Sequence, residues 1–331
     1  MMAPRKIIID TDPGVGIPGT DADDPIALYL AVNDPRLDLI GVTTTFGNCP
    51  PELSARGAGA VLRALGRDDI PVSIGSPVPL SGELPPQLAR AYAGARGRPG
   101  RIDLPEAHEV ASGRTAEDFI IEAVHAHPGE VTIVAIGPQT NLARALRKDP
   151  SLAEDIAAVV FMGGGLGLDR EYGRGNVTPV AECNIYFDPD AADIVFRSGI
   201  ELTMIGLDVT NPNTGLLLTA DAIAGIDRDS TDLALFAEIC DTYLESPMFQ
   251  HGLGCVLYDP LAVAVAADPS LGAFERMSLI VDTSDAATRG QTLRTSASEP
   301  NVDVMVQVDG AAAVRSIVET ITSRNTTGAK R

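Results

Sequence analysis

The sequence predicts an α/β fold with an open, mostly parallel, doubly wound sheet of the Rossmann-like type and helices on both faces. Short apolar or β-branched runs alternate with helix-like segments, a pattern typical of βα units that pack into a parallel sheet. Polar and glycine residues follow several of these runs, at the strand ends where such sheets bind ligands. The 331 residues are 45% hydrophobic. This suffices for a large core, and without a repeat or linker we expect one domain over 1–322 and a polar tail over 323–331.

The elements follow in order from these patterns. The first strand, 6–9, is a β-branched run that ends in acid, and the acidic residues that come next favour the start of a helix over 24–33. Further apolar runs predict strands 38–45, 131–136, 156–162 and 202–207, and the intervening segments predict helices 52–66, 115–127, 138–148 and 188–198. Later strands are expected at 277–282 and 302–308, a last helix at 311–323, and long surface loops at 75–105 and 165–180.

Composition excludes several classes of partner. A net charge of −20 and a pI near 4.5 argue against nucleic acids and anionic membranes, because both require a basic patch. No apolar run approaches the roughly 18 residues of a membrane span, and the first run is too short for a signal peptide. The four scattered cysteines are typical of reduced thiols, so we expect a cytoplasmic protein.

Acidic residues are concentrated near the N-terminus, where Asp10, Asp12, Asp21, Asp23 and Asp24 lie within fifteen residues. A strand end and a helix start favour one or two aspartates, but not five. Because converging carboxylates repel one another, a hard cation such as Ca²⁺ or Mg²⁺ is the simplest source of compensation. The sequence therefore predicts a metal or polar-ligand site here.

Polar or glycine residues also follow four of the predicted strands. Asp12 follows the first, Gly47-Asn48 the second, Gly137-Pro138 the strand at 131–136, and Met162-Gly163-Gly164-Gly165 the strand at 156–162. Carboxyl ends of parallel strands meet at one edge of the sheet, so we expect these residues to line a single site. The three glycines would allow close backbone approach to a ligand.

These residues resemble the family of inosine-uridine-preferring nucleoside hydrolases, in an ordered series of motifs that covers nearly the whole chain. Each motif is weak alone, but their common order makes the resemblance specific. The series comprises Asp10-Thr11-Asp12-Pro13-Gly14, Asp23-Asp24, Gly47-Asn48, Gly137-Pro138-Gln139-Thr140-Asn141-Leu142-Ala143, Met162-Gly163-Gly164, Gly175-Asn176, Ala181-Glu182-Cys183-Asn184, Asp188-Pro189 and Asp259-Pro260-Leu261-Ala262.

The resemblance implies the nucleoside hydrolase fold and hydrolysis of the N-glycosidic bond of ribonucleosides to free base and ribose. It implies a Ca²⁺ ion held by Asp12, Asp24, Asp259 and the main-chain carbonyl of Ile136, with Asp12 taking a proton from a water held by the ion. It also implies a homodimer or homotetramer that acts in nucleoside salvage. The sugar would be bound by Asp23 at the 2′-hydroxyl and by Asn48, Met162, Asn176, Glu182 and Asn184.

Elementary chemistry is consistent with those implied roles. A cation lowers the pKa of its water, and a neighbouring carboxylate completes the deprotonation. Cleavage passes through an oxocarbenium-like ribosyl cation, which nearby carboxylates stabilise. Asp10 is expected behind the site rather than as a ligand. Asn176, Glu182 and Asn184 also suit ordinary loop and cap positions, although their spacing favours binding of sugar hydroxyls.

The sequence departs from the family pattern in three places. Val15–Ala22 are inserted before the acidic pair, which we assign to Asp23-Asp24, although Asp21 could replace one of them. Tyr258 occupies the position of a histidine that protonates the leaving base in many members. Ala93-Gly94 occupies the place of a second histidine.

Activation of the leaving base would then depend on Tyr258 or on His251. Tyr258 could stack on a base or fill an apolar pocket, and His251 lies in a loop a few residues earlier. Because a stacked purine can still be protonated at N7, we expect a lean toward purine nucleosides. The other histidines, His108, His125 and His127, are expected at the surface. Two alternatives stay open: a phosphohydrolase using Asp10 and Asp12, and a nucleoside- or ribose-binding protein without turnover.

Overall fold

The structure of the chain is a computed structural model that describes residues 3–168, 174–245, 254–297 and 299–323. Within these residues, nine strands form the central sheet. All neighbouring strands are parallel except the first pair, which is antiparallel. Across the sheet they are β10 (Gly272–Met277), β13 (Val302–Val308), β7 (Leu202–Ile205), β6 (Ile156–Met162), β5 (Val131–Ala135), β1 (Arg5–Thr11), β2 (Leu37–Thr44), β3 (Val72–Ile74) and β4 (Ala111–Thr115).

The chain reverses its direction of travel across the sheet at β1. From β1 it proceeds to β2, β3 and β4 on one side, and it then returns to β5 and β6 on the other. The β1–β5 boundary is therefore the topological switch point, where an open α/β sheet forms a crevice beyond its strand ends. Asp12 and Ile136 directly follow these two strands and so lie at this crevice.

Side chains of β1 alternate between two hydrophobic clusters on opposite faces of the sheet. Ile7 and Ile9 belong to one cluster and Ile8 to the other, and all three are fully buried. This period of two is that of a strand covered on both faces. The open, mostly parallel sheet predicted from the sequence is thus observed.

Helices form a layer against each of those clusters. On the side of Ile7 and Ile9 lie α1 (Asp23–Asn33), α2 (Pro51–Ala64), α11 (Thr231–Leu244), α12 (Tyr258–Ala267) and α13 (Gly310–Thr322); on the side of Ile8 lie α5 (Ala116–Ala126), α6 (Thr140–Lys148), α7 (Leu152–Asp155) and α9 (Pro189–Phe196). The other α-helices of the described residues are α3 (Pro86–Ala93), α4 (Ala107–Val110), α8 (Cys183–Phe187) and α10 (Ala220–Ala224).

The late part of the chain differs from the predicted pattern. The expected strand at 277–282 is divided between the end of β10 and β11 (Leu279–Val281), which pairs with β12 (Thr292–Arg294) in a separate small sheet. A second small sheet pairs β8 (Leu217–Thr219) with β9 (Gly254–Val256). Strand β13 and helix α13 lie within one residue of their expected bounds.

The stretch 75–105 is not simply a loop, because it contains α3 and a 3-10 helix at Ala95–Gly97. We call Pro86–Gly97 the roof segment, since it covers the cavity described below. Parts of two predictions, residues 169–173 of the second loop and 324–331 of the tail, lie outside the described residues. Among the helices of the described chain, none combines the length and apolar character needed to cross a membrane.

Candidate active site

A cavity of about 560 Å³ opens at the carboxyl ends of β1, β2, β5 and β6. Its volume lies in the usual range for small-molecule sites, about 300–1,000 Å³. Every residue to which the sequence analysis gave a catalytic, metal-binding or sugar-binding role lies in its wall, apart from His251, which is outside the described residues. Gly137, Pro138 and the three glycines 163–165, which were also expected at the site, do not line it. The wall is formed by Asp12, Asp21, Asp23, Asp24, Gly47, Asn48, Gln87, Ala91, Arg96, Ile136, Met162, Asn176, Val177, Glu182, Cys183, Asn184, Phe187, Tyr258 and Asp259.

Asp24 is held rigidly at the start of α1. Its Oδ1 accepts hydrogen bonds from the Thr11 hydroxyl at 2.5 Å and from the backbone N–H of Asp12 at 3.0 Å. Its Oδ2 accepts from the Asn48 side-chain amide at 2.9 Å. The β1 and β2 ends therefore fix the carboxylate, and the positive end of the α1 dipole favours its negative charge.

Asp23, Asp24 and Asp259 each offer a carboxylate oxygen, and the three oxygens lie within 4.8 Å of one another. Asp259 occupies the first turn of α12, and its backbone N–H donates to Asp23 Oδ2 at 3.4 Å. All three side chains are at least 95% buried. Residues far apart in sequence thus form one acidic cluster that can hold a metal ion.

Asp12 adjoins this cluster from the end of β1. Its Oδ2 accepts a hydrogen bond from the backbone N–H of Asn48 at 2.6 Å. The turn after β2 approaches so closely that a Cβ on Gly47 would lie 1.8 Å from Asp12 Oδ2. Gly47 also has a φ of +154°, a region that other residues rarely adopt.

Replacing Gly47 with alanine should displace the Asp12 carboxylate, and misplacement by about 1 Å can cost on the order of 10² in turnover. Gly66→Ala is a matched control, because Gly66 also has a positive φ, +66°, but has open space where a Cβ would be added. Both variants should lose stability through backbone strain, as measured by thermal unfolding. Only Gly47→Ala should lose activity, and equal activity losses would contradict this reading of the turn.

The acidic cluster is electrostatically unfavourable without a cation. Burial, followed by the charges of neighbouring aspartates, raises the pKa of Asp12, Asp23 and Asp259 well above the usual range. Burial also raises the pKa of Asp24, although its hydrogen bonds oppose that rise. Buried carboxylates with no nearby cationic ligand are costly. An all-oxygen donor set of this kind fits a hard divalent ion, which would remove that cost.

Asn176, Glu182 and Asn184 also line the cavity, at and before the start of α8. Glu182 caps α8, and its carboxylate accepts from the backbone N–H groups of Gly164 at 2.8 Å, Asn184 at 2.9 Å and Ile185 at 3.1 Å. Burial nevertheless raises its pKa to about 7. The carboxylate therefore fixes the glycine turn after β6 as well as lining the cavity.

The two asparagines are each engaged through one end of the amide. Asn184 donates from Nδ2 to the carbonyl oxygens of Ile136 and Met162, both at 3.1 Å. Asn176 accepts on Oδ1 from the backbone N–H of Cys183 at 2.9 Å. Their remaining amide atoms, Oδ1 of Asn184 and Nδ2 of Asn176, offer an acceptor and a donor suited to sugar hydroxyls.

Asp10 lies behind the cavity, where the sequence analysis expected it. Its Oδ1 accepts from the Thr43 hydroxyl and the Asn141 amide, both at 2.7 Å, and burial raises its pKa to about 7. The side chain is fully buried and does not line the cavity. It ties β1 to β2 and α6, directly beneath Asp12.

Of the two positions at which many family members have a histidine, one lines the cavity and the other does not. Tyr258, at the start of α12, lines the cavity. Ala93-Gly94 is exposed and does not line it. His108 and His125 are exposed and His127 is half-buried, all away from the cavity.

Sequence reasoning missed two residues in the roof of the cavity, Gln87 and Arg96, and left the role of Asp21 open. Arg96 is the only basic side chain among the described residues of the wall, where it faces six acidic ones. Nothing in the Pro/Gly-rich stretch 75–105 singled it out. The available signal was the insertion at 15–22, whose backbone Arg96 contacts.

Comparison with known proteins gives a consistent result. Residues 7–315 match the family model described as inosine-uridine preferring nucleoside hydrolase. A protein named probable uridine nucleosidase 2 from Arabidopsis thaliana is 34% identical over 328 residues, covering 95% of this chain and 97% of that protein. The pyrimidine-specific ribonucleoside hydrolase RihA from Escherichia coli O17:K52:H18 is 36% identical over 309 residues, covering 92% and 94%.

Solved structures extend the similarity to three dimensions. A purine-preferring ribonucleoside hydrolase from Gardnerella vaginalis superposes with a TM-score of 0.81 at 34% identity, covering 96% of this chain and 98% of that one. The names of these relatives include both pyrimidine and purine preferences. Overall similarity therefore does not fix the base that this chain accepts.

Proposed function

The chain belongs to the inosine-uridine preferring nucleoside hydrolase family and is a hydrolase of N-glycosyl bonds, and from this premise we propose that it is calcium-dependent. It cleaves ribonucleosides to free base and ribose. The observation that carries the calcium proposal is the buried acidic cluster of Asp23, Asp24 and Asp259, with Asp12 beside it. An oxygen-only donor set is what Ca²⁺ prefers in proteins.

In this proposal Asp12, Asp24, Asp259 and the Ile136 carbonyl would hold the ion. A bound divalent cation would supply a lower pKa for the attacking water. Asp12 accepts the proton of the attacking water, because its carboxylate lies in the cavity wall and is fixed by the Asn48 backbone N–H. Asp23 accepts a hydrogen bond from the ribose 2′-hydroxyl.

Bond cleavage leaves positive charge on the ribosyl ring. The cavity is well suited to stabilise it, because six acidic side chains line the wall in a largely buried setting. Asn48 binds the sugar beside Asp23, while Met162, Asn176, Glu182 and Asn184 bind it from the end of β6 and the start of α8. The sugar thus lies between the metal cluster and α8.

Asn176→Ala and Asn184→Ala should each lower kcat/KM for ribonucleosides, because a buried sugar hydroxyl then loses a partner. Such a loss costs about 1–3 kcal/mol, or roughly 5- to 150-fold. Steady-state kinetics with ribonucleosides and with analogues lacking single hydroxyls measures this. Each variant should be less sensitive to removal of the hydroxyl it contacts.

Asn33→Ala is the control for these substitutions. Asn33 also donates from its side-chain amide to a carbonyl, that of Tyr29, but it lies at the end of α1 outside the cavity wall. Its substitution should leave kcat/KM unchanged. Wild-type activity in the Asn176→Ala/Asn184→Ala double variant would rule out the sugar assignment.

The phosphohydrolase alternative fits the site poorly. It requires Asp10 as nucleophile or acid, yet Asp10 is fully buried behind the cavity. It also requires a lysine, and no lysine is among the described residues of the wall. The alternative of binding without turnover is distinguished only by assay.

A panel of purine and pyrimidine ribonucleosides, followed by assay of free base and reducing sugar, tests the proposed function. Release of both products in equal amounts is expected. Release of phosphate from nucleotides would favour the phosphohydrolase. Tight nucleoside binding without product release would favour the binding protein.

We extend the proposal to the cellular setting implied by the family resemblance. The chain acts in the cytoplasm, in nucleoside salvage, as a homodimer or homotetramer. Sedimentation equilibrium of the purified protein gives the oligomeric state. A monomer at micromolar concentration would contradict the last part.

A further inference from the structure

The roof segment Pro86–Gly97 is fixed in place by the residues inserted at 15–22. The Arg96 Nε donates to the Gly19 carbonyl at 2.7 Å, and Nη2 donates to the same oxygen. The Arg101 backbone N–H donates to the Gly16 carbonyl at 3.2 Å. On the other side of the roof, the Tyr92 hydroxyl accepts from the Gly47 N–H at 2.7 Å and donates to the Cys49 carbonyl at 3.0 Å.

Arg96 retains donors that these contacts do not use. A guanidinium has five N–H groups, and the two bonds to Gly19 use only two of them. Among the described residues, no carboxylate forms an ion pair with it, although it lines the cavity and its charge lowers the pKa of Asp21 against the effect of burial. It is therefore a positioned cation facing the cavity.

Asp21 completes this side of the cavity. Its Oδ1 is buried and, among the described residues, has no hydrogen-bond partner. Asp21 lines the cavity together with Tyr258 and lies two residues before Asp23.

The position of the base follows from the proposed placement of the sugar, on which this inference rests. If Asp23 holds the 2′-hydroxyl, C1′ and its base lie at that end of the sugar, because C1′ is bonded to C2′. Asp21 lies two residues before Asp23, and Tyr258 directly precedes Asp259, whose backbone N–H donates to Asp23 Oδ2 at 3.4 Å. The departing base therefore lies on the side of Asp21, Arg96 and Tyr258.

We propose that Arg96 is the catalytic residue that activates the leaving base in this enzyme, in place of the absent histidines. Its free N–H groups donate to a carbonyl oxygen of the base, while the unpartnered Asp21 oxygen accepts from a ring N–H. The substrates are nucleosides whose bases carry a carbonyl group conjugated with the departing nitrogen, such as uridine and inosine.

The chemistry needs no proton donor at the moment of bond breaking. The C1′–N bond breaks, and its electron pair passes to the base nitrogen and by conjugation to the carbonyl oxygen, where Arg96 stabilises the charge. The water oxygen bonds to C1′, and its proton passes to Asp12. The base anion takes a proton from solvent after release. With this mechanism, a preference for purine nucleosides is no longer expected, because Arg96 would stabilise a pyrimidine anion equally well.

The test compares Arg96→Met with the wild type on uridine, on inosine and on 4-nitrophenyl riboside, whose phenolate leaves without assistance. Loss of one such donor typically costs about 10²–10³ in turnover. For whichever nucleoside the wild type cleaves faster, we expect kcat to fall by this factor in Arg96→Met. For the aryl riboside we expect kcat to fall by less than about tenfold. Arg96→Lys, which keeps the charge without the fork, should recover part of the loss.

Arg98→Met is the matched control, since Arg98 is exposed two residues further on and does not line the cavity. It should leave nucleoside turnover unchanged. Equal losses on nucleoside and aryl riboside in Arg96→Met would assign Arg96 a structural role and overturn the inference, as would no loss on either. If the wild type cleaves none of these substrates, the proposed function itself fails and this inference with it.

Discussion

Asp12→Asn should lower kcat by about 10²–10⁴, because asparagine cannot accept the proton of the attacking water. Asparagine is nearly isosteric and can still accept the hydrogen bond from the Asn48 backbone N–H through Oδ1. Nucleoside affinity, measured by equilibrium binding, should fall much less than kcat. A kcat within a few-fold of the wild type would show that Asp12 is not the base.

Asp10→Asn is the matched control for this substitution. Asp10 Oδ1 accepts both of its hydrogen bonds, from Thr43 and Asn141, and its Oδ2 has no partner among the described residues. The Asp10→Asn variant keeps Oδ1 as an acceptor and removes only the acidity of a buried side chain that lies outside the cavity wall. Activity should therefore be largely retained. Equal losses in the two variants would contradict the separate roles of Asp10 and Asp12.

Calcium should stabilise the metal-stripped protein more at pH 8 than at pH 6. At a free calcium concentration about 100-fold above the dissociation constant, binding raises the free energy of unfolding by about 2.7 kcal/mol. The dissociation constant should be lower at the higher pH, because the carboxylates bind the ion in their ionised form. Thermal unfolding with and without calcium at the two pH values measures this. Equal shifts of Tm at both would contradict it.

The sign of this dependence follows from the direction of the pKa shifts. Burial raises the folded-state pKa of Asp12, Asp23 and Asp259 above the unfolded value of about 3.9. Between the two values the folded state binds more protons, so the stability of the metal-free protein falls as pH rises through that window. Calcium, if it is the bound ion as proposed, would pair with the ionised carboxylates and offset a cost that grows with pH.

The elements best predicted from the sequence were those with a strong local pattern. The β-branched run of β1 ends in acid, and β6 and β13 have the predicted bounds. Strand β6 is continuously apolar, as buried parallel strands are, whereas β13, VDVMVQV, largely alternates valine with other residues. Helix α12 was not predicted as a helix although its first residues carry a family motif. Its sequence, YDPLAVAVAA, is almost wholly buried, so it has no polar face to give a helical period.

Weak patterns account for the other omissions. Strand β4, ASGRT, is half-buried or exposed throughout and lies at the sheet edge, where pairing with β3 decides its conformation. Helix α3 begins at the second of two consecutive prolines, Pro86, in a Pro/Gly-rich stretch that is typical of a loop, and it buries only Leu88. Local pattern could not predict either, because tertiary contacts determine both.

The sequence predicted the residues at the centre of the site but not those at its edge. Each residue proposed for metal or sugar binding lies in the cavity wall, because family motifs mark strand ends and helix starts. The position of Arg96 depends on the Gly19 carbonyl, 77 residues away in sequence. Such a contact leaves no local signal, and only the unusual insertion at 15–22 pointed to it.

The central claim is tested most directly by titrating the metal-stripped protein with calcium. Bound calcium and the release of ribose from uridine or inosine are measured in the same samples. We expect one calcium ion per chain, and turnover that rises from near zero in proportion to the bound ion. Asp259→Asn should lose both together. Full turnover by the stripped wild type, or ion binding without any ribose release, would contradict the account.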